Sequence, residues 1–196
     1  RYYKNATSEY VISPGQMALE SPVTSIIKKA YENKIPILGI CNGFQILTKL
    51  KLLPGELKLN NDKKFTCRNV QCILSKNYSK NNENSYSILK VVSLQVANSY
   101  GNYYIEEEEL QQLKANNQII LTYNDQTYDN GSIEEIAGVC DKEHLVFGMM
   151  PHPERTKDET IKKMIHTIVQ SKKSSDSQQI FPVSYTHLTL PTINWV

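Results

Sequence analysis

Cys41 stands between two glycines in GICNGFQIL, residues 39–47, directly after the apolar run IPILGI. A cysteine so placed is either a small buried hydrophobe or a nucleophile, and its flanks favour the nucleophile. A strand that delivers a side chain into a sharp turn and at once begins a helix is the elbow arrangement; Gly39 and Gly43 are expected to supply the room that the turn needs. With a helix opening at Cys41, the positive end of its dipole is predicted to lower the thiol pKa toward the thiolate. The Asn42 N–H would face any oxyanion formed beside the sulfur.

A thiol nucleophile needs a base, which is most often a histidine distant in sequence. Of the four histidines, His166 lies among the apolar positions of a helical pattern and His144 in a turn-like DKEHLVF segment. His187 falls in a tail that carries no functional weight. His152 is different, because GMMPHPER fixes it between Pro151 and Pro153 at a strand end. Glu154, two residues on, is placed to accept a hydrogen bond from the second imidazole nitrogen, which would complete a Cys41–His152–Glu154 triad. A rigid surface loop with a weak Glu–Arg pair is the plain alternative, and Cys41 at the end of another strand decides against it.

These side chains need a scaffold, and 196 residues with 40% hydrophobic content give one α/β domain a proper core. The formal net charge of +2 comes from interspersed Lys and Glu. It lacks the clustered basic excess of a nucleic-acid binder. No apolar stretch approaches the ~20 residues that a bilayer span needs, and no signal-peptide pattern opens the chain, so a cytoplasmic protein is expected. Cys41, Cys67, Cys72 and Cys140 have no paired CxxC spacing, so reduced thiols are expected and a zinc site is not. In FTCRNVQCIL the odd separation of Cys67 from Cys72 should turn the two thiols to opposite faces of a strand. NAT at Asn5 and NGS at Asn130 match a glycosylation sequon short enough to arise by chance.

Helical spacing predicts a helix from about Pro22, capped at Ser21. IPILGI reads as a buried parallel strand, and NGFQILTKLKLL as the helix after Cys41, stopped by PGE. TCRNVQCIL and YSILKVVSLQVA read as strands around an SKNYSKNNENS loop. EEEELQQLKANN reads as a helix, QIILTYN, EEIAGVC and LVFGMM as strands, and DETIKKMIHTIVQ as a final amphipathic helix. The alternation predicts an open, mostly parallel, doubly wound α/β sheet. VSYTHLTLPT, from Val183, resembles an in-frame translation of a transposon-derived sequencing adapter. The expected organisation is therefore one domain over residues 1–182 and a non-native tail over 183–196.

Taken together, GICNGFQIL and GMMPHPER resemble the nucleophile elbow and the His-x-Glu segment of the class I (triad) glutamine amidotransferases. With LLPGELKLNNDKKFTCRNV, GNYY, NNQIILTYND and NGSIEEIAGVCD in this order, the series is similar to the glutaminase subunit of phosphoribosylformylglycinamidine synthase, over about Pro14 to Gln170. The resemblance implies a flavodoxin-like sheet with the site at the carboxyl ends of its strands. It also implies a γ-glutamyl thioester on Cys41, with His152 as acid and base and Glu154 orienting it. It makes Gln45 a residue that helps to hold the glutamine substrate, together with Asn42 and Gly43, and sends the ammonia to a separate ATP-dependent synthetase subunit, with a small accessory subunit. No metal or organic cofactor is implied here, ATP being used by the partner. Relatives carry a His-Gly-Glu-Gly-like run where this chain has ANSYGNYY, so Asn98, Ser99 and Tyr100 depart from the pattern. The family's first strand and its Gly-Gly loop should lie upstream of Arg1. Another triad amidotransferase, a domain of a fused synthetase, a non-catalytic protein of the same fold, or a hydrolase on the same elbow are the rival readings.

Overall fold

In the computed structural model the described residues are Leu19, 21–75 and 90–156. The KNYSKNNENS stretch after Ser75, the segment with His166 that was expected to form a last helix, and the tail with His187 lie outside them. A first helix, α1 (Val23–Glu32), begins after Pro22, where the Thr24 hydroxyl donates to the Ser21 carbonyl at 2.8 Å. It leads into β1 (Ile37–Ile40) and then α2 (Asn42–Lys49), as the change of apolar period from strand to helix requires. The chain continues through β2 (Glu56–Lys58), β3 (Thr66–Leu74), β4 (Lys90–Asn98), β5 (Asn102–Tyr104) and α3 (Glu107–Ala115). It ends with β6 (Ile119–Tyr123), β7 (Ile136–Cys140) and β8 (Val146–Met149).

Six strands form one sheet in the order β1-β8-β7-β6-β3-β4, and β2 pairs with β5 in a small separate ribbon. The α/β fold is the expected one. Among the described strands, however, its parallel part is the β1–β8 pair, and the other four adjacent pairs run antiparallel where a mostly parallel order was expected. The reason is connection length: residues 141–145, for example, are too few to carry a crossover, so β8 can only return antiparallel to β7. In β3 the predicted alternation holds, with Cys67 exposed and Cys72 buried.

The sheet is strongly curled. At about 4.8 Å per strand, a flat sheet of six would hold its first and last members about 24 Å apart. Yet Cys41, the residue after β1, places its sulfur 3.7 Å from the Ala97 carbonyl of β4. His152, shortly after β8, pairs with Gln95 of the same strand. The curl encloses a core cluster of Val70, Leu74, Leu94, Val96, Leu121 and Phe147, while α2 and α3 cover the other face through Phe44, Leu47, Leu110 and Leu113.

How closely α2 lies on the sheet is set by two glycines that face each other in register, Gly39 on β1 and Gly148 on β8. A Cβ on Gly39 would lie 2.5 Å from Leu47 Cδ1 and 2.7 Å from the Gly43 carbonyl carbon, and one on Gly148 would strike the Phe44 ring. That platform brings the start of α2 to the carboxyl ends of β1 and β8.

Candidate active site

Cys41 takes φ 52°, ψ −107° at the N-cap of α2. This backbone conformation costs a non-glycine residue about 1–3 kcal/mol. It is held on both sides: the Cys41 N–H donates to the Met149 carbonyl at 2.8 Å, and the Gln45 N–H donates to the Cys41 carbonyl at 3.2 Å. The elbow is therefore present, but only one of its two glycines is needed for space. A Cβ on Gly43 would meet nothing within 4 Å, so Gly43 leaves open the surface beside the sulfur and does not relieve the turn.

The thiol departs from expectation in a second way. Cys41 is only 8% exposed, and burial pushes its pKa from 9.0 up to about 11, although the Asn42 N–H and the Arg155 charge pull it back. The predicted lowering by the helix end is present as that N–H contact and is outweighed. An eight-residue helix supplies a fraction of a charge, whereas removing a thiolate from water acts on the whole charge. The sulfur is thus a neutral thiol in contact with the Ala97 carbonyl.

His152 reaches the same strand through its backbone. Its N–H donates to the Gln95 carbonyl at 2.8 Å, two residues along β4 from the carbonyl that contacts the sulfur. Carbonyls at i and i+2 point to the same edge of a strand and lie about 7 Å apart, so one edge holds both groups side by side. The imidazole Nδ1 lies 2.7 Å from Glu154 Oε1, which leaves Nε2 unengaged by that pair. Nε2 is buried and has no hydrogen-bond partner among the described residues. Glu154 loses some solvation by burial, but the hydrogen bond with His152, its backbone and the nearby charges of His152 and Arg155 outweigh that and hold its carboxyl below the ordinary value. Arg155 in turn donates to the Gln95 side chain at 3.0 Å, so the turn Pro153–Arg155 is tied to β4 at backbone and side chain.

The CobB/CobQ-like glutamine amidotransferase domain matches residues 16–187. The chain belongs to that family. It is also similar to PurLQS from Thermotoga maritima, with 32% identity over 82% of this chain and 72% of that chain, at a TM-score of 0.65. A glutamine amidotransferase from the same organism is more distant, 16% identical over 84% of this chain and 63% of its own at a TM-score of 0.45.

In this amidotransferase Gln45, 4% exposed, binds the scaffold through one end only. Its Nε2 donates to the Tyr100 carbonyl at 3.0 Å, and its Oε1 is buried without a partner among the described residues. Asn42 lies at the sulfur through its N–H, and the turn that carries His152 and Glu154 is held against β4 by the His152 backbone.

The loop after β4 is held by residues that sequence reading missed. Asn60 Nδ2 donates to the Asn98 carbonyl at 3.1 Å while its Oδ1 accepts from the Gly101 N–H at 2.9 Å. Asn130 Nδ2 donates to the Gly101 carbonyl at 2.8 Å. Both side chains are buried, so Asn130 is structural and its NGS sequon is fortuitous. Their only signal was asparagine in loops, which reads equally well as surface turn chemistry. Cys72 and Cys140 are buried in the core and Cys67 is exposed. His144 is not a plain surface turn residue, since its Nδ1 lies 3.4 Å from Cys140 Sγ. Among the described residues no group of three or more His, Cys, Asp or Glu could hold a metal ion, and no helix is long and apolar enough to cross a membrane.

Proposed function

We propose that this amidotransferase hydrolyses L-glutamine to glutamate and ammonia through a thioester on Cys41, and that the ammonia goes to phosphoribosylformylglycinamidine synthase in purine biosynthesis. The observation that carries the chemistry is the shared edge of β4, which receives the Cys41 sulfur on the Ala97 carbonyl and the His152 N–H on the Gln95 carbonyl. The similarity to PurLQS supports the synthase as the destination.

In the first half-reaction Cys41 Sγ attacks the side-chain amide carbon of glutamine as its proton passes to His152 Nε2. Charge develops on the amide oxygen, and the Asn42 N–H, which contacts the sulfur in the free chain, would turn to donate to that oxygen. His152 returns the proton to the departing nitrogen, the C–N bond breaks, and ammonia leaves a γ-glutamyl thioester. In the second half-reaction His152 takes a proton from water as its oxygen adds to the thioester carbon, the C–S bond breaks to release glutamate, and His152 returns the proton to the sulfur. Glu154 holds the imidazole through Nδ1 and stabilises its charged form. Gln45 Oε1 and the open surface at Gly43 serve the substrate. The synthetase subunit, which uses ATP, and a small accessory subunit are the protein partners of this reading, in a cytoplasmic setting, and the amidotransferase itself works without cofactor or metal.

The test is release of ammonia from glutamine by the full-length chain, alone and with the synthetase, together with mass spectrometry after a glutamine-like diazoketone. Label on Cys41 alone and glutamine-dependent ammonia support the reading. Label on Cys67 or Cys140, or amide turnover indifferent to glutamine, sinks it.

A further inference from the structure

The two ends of the Gln45 carboxamide are told apart by one backbone atom. A carbonyl oxygen can only accept, so the Tyr100 carbonyl, 3.0 Å from Nε2, takes the Gln45 NH2 and turns Oε1 the other way. Reversed, the carboxamide would set two oxygens against each other. Gln45 lies in the first turn of α2, four residues after Cys41. The direction in which it offers its acceptor is therefore decided by where the chain places the Tyr100 carbonyl.

Residues 99–101 run between β4 and β5, outside either strand, and one residue takes over their fixing. The Asn60 N–H donates to the Ser99 carbonyl at 2.8 Å. Its Nδ2 donates to the Asn98 carbonyl at 3.1 Å, and its Oδ1 accepts from the Gly101 N–H at 2.9 Å. Asn60 thus grips the backbone on both sides of Tyr100 and leaves the Tyr100 carbonyl to Gln45. It is 2% exposed, so solvent does not stand in for these bonds if they are lost. Gly101 permits the close approach, since a Cβ there would lie 3.2 Å from Asn60 Oδ1 and strike the Asn98 carboxamide. Asn130 Nδ2 and the Ser132 hydroxyl grip the far side of Tyr100, at the Gly101 carbonyl, at 2.8 and 3.2 Å.

We propose that Asn60 is a positioning residue for glutamine binding: by holding the backbone before and after Tyr100 it fixes the Tyr100 carbonyl, and through that carbonyl it orients the acceptor of Gln45. The inference rests on the glutaminase reading given above. The Asn60 side chain bonds to backbone atoms of Lys64, Asn98 and Gly101 and not to the triad. Without it the buried Asn98 carbonyl and Gly101 N–H lose their partner, the stretch shifts to regain one, and Gln45 is free to turn. The bonds concerned are remote from the reacting atoms and serve the bound substrate and the transition state alike, so their loss falls on KM and spares kcat.

The experiment is a double-mutant cycle in the full-length chain, read as ammonia released from glutamine. Asn60→Ala should raise KM for glutamine about tenfold while kcat stays within about twofold of the parent. In a Gln45→Ala background the same substitution should add little, because the group through which it acts is gone. A merely structural role gives the contrary pattern: fewer folded molecules lower the apparent kcat at constant KM, and the losses multiply with those of Gln45→Ala. That pattern, or an unchanged KM, overturns the inference. Asn60→Asp is isosteric, keeps the bond from the Gly101 N–H and loses the donor to the Asn98 carbonyl. It should shift KM in the same direction, and it serves the same cycle where the alanine variant does not fold. A parent chain that releases no ammonia from glutamine overturns the glutaminase reading and this inference with it, and that failure is distinguishable because it shows before any substitution is made.

Discussion

At the residue scale the triad makes separable demands. Cys41→Ala or Cys41→Ser is expected to abolish glutamine turnover without unfolding the chain, and near-parental ammonia release from either variant would refute the nucleophile. His152→Ala should cost between about a hundredfold and ten-thousandfold in kcat, the range of a general acid and base. Glu154→Gln should cost less, because an amide oxygen can still accept from Nδ1 and chiefly the charge is lost. The thiol itself adds a less obvious expectation. Since burial pushes Cys41 up to about 11, its alkylation by iodoacetamide in the substrate-free protein should be slow at pH 7 and keep rising through pH 9 and 10. A rate that is already level at pH 7 would mean a preformed thiolate and would contradict the buried-thiol account.

At the element scale the two glycines of the elbow predict opposite outcomes. Gly39→Ala forces a Cβ into Leu47 and the Gly43 backbone, and overpacking of this kind costs about 1–3 kcal/mol. Gly43→Ala meets open space inside α2, where alanine is better than glycine by about 0.5–1 kcal/mol. Thermal melting should therefore fall for the first and hold or rise for the second. If Gly43 lines the substrate site, its variant should also raise KM for glutamine while the melting temperature stays up. Elements β1, α2, β3 and α3 were readable because each has a clean period of apolar residues and a stop signal. The ribbon of β2 with β5 was not, since three-residue strands are too short to show any alternation.

For the whole molecule, the fold that carries β4 to the ends of β1 and β8 buries three cysteines, Cys41, Cys72 and Cys140, and for two of them that has a consequence for stability. Cys41 is raised from 9.0 to about 11 and Cys72 to about 12, both mainly by burial. A folded pKa above the unfolded one stabilises fully below pH 9 and is lost as pH rises through the folded value. Stability should thus decline from about pH 9 toward pH 11, and melting curves of a Cys41→Ala, Cys72→Ala double variant should decline less steeply over that window. Equal slopes would show that the thiols are not the cause. The family, the elbow and the His-x-Glu segment were legible in the sequence, because a strand, a turn and a helix start are local and leave their residue types in order. Strand order, the antiparallel pairings, the shared edge of β4, the raised thiol pKa and the buried bonds of Asn60 and Asn130 to the loop after β4 were decided only by the tertiary structure. Each of these depends on how residues tens of positions apart exclude water from one another, and no local pattern of residues encodes that.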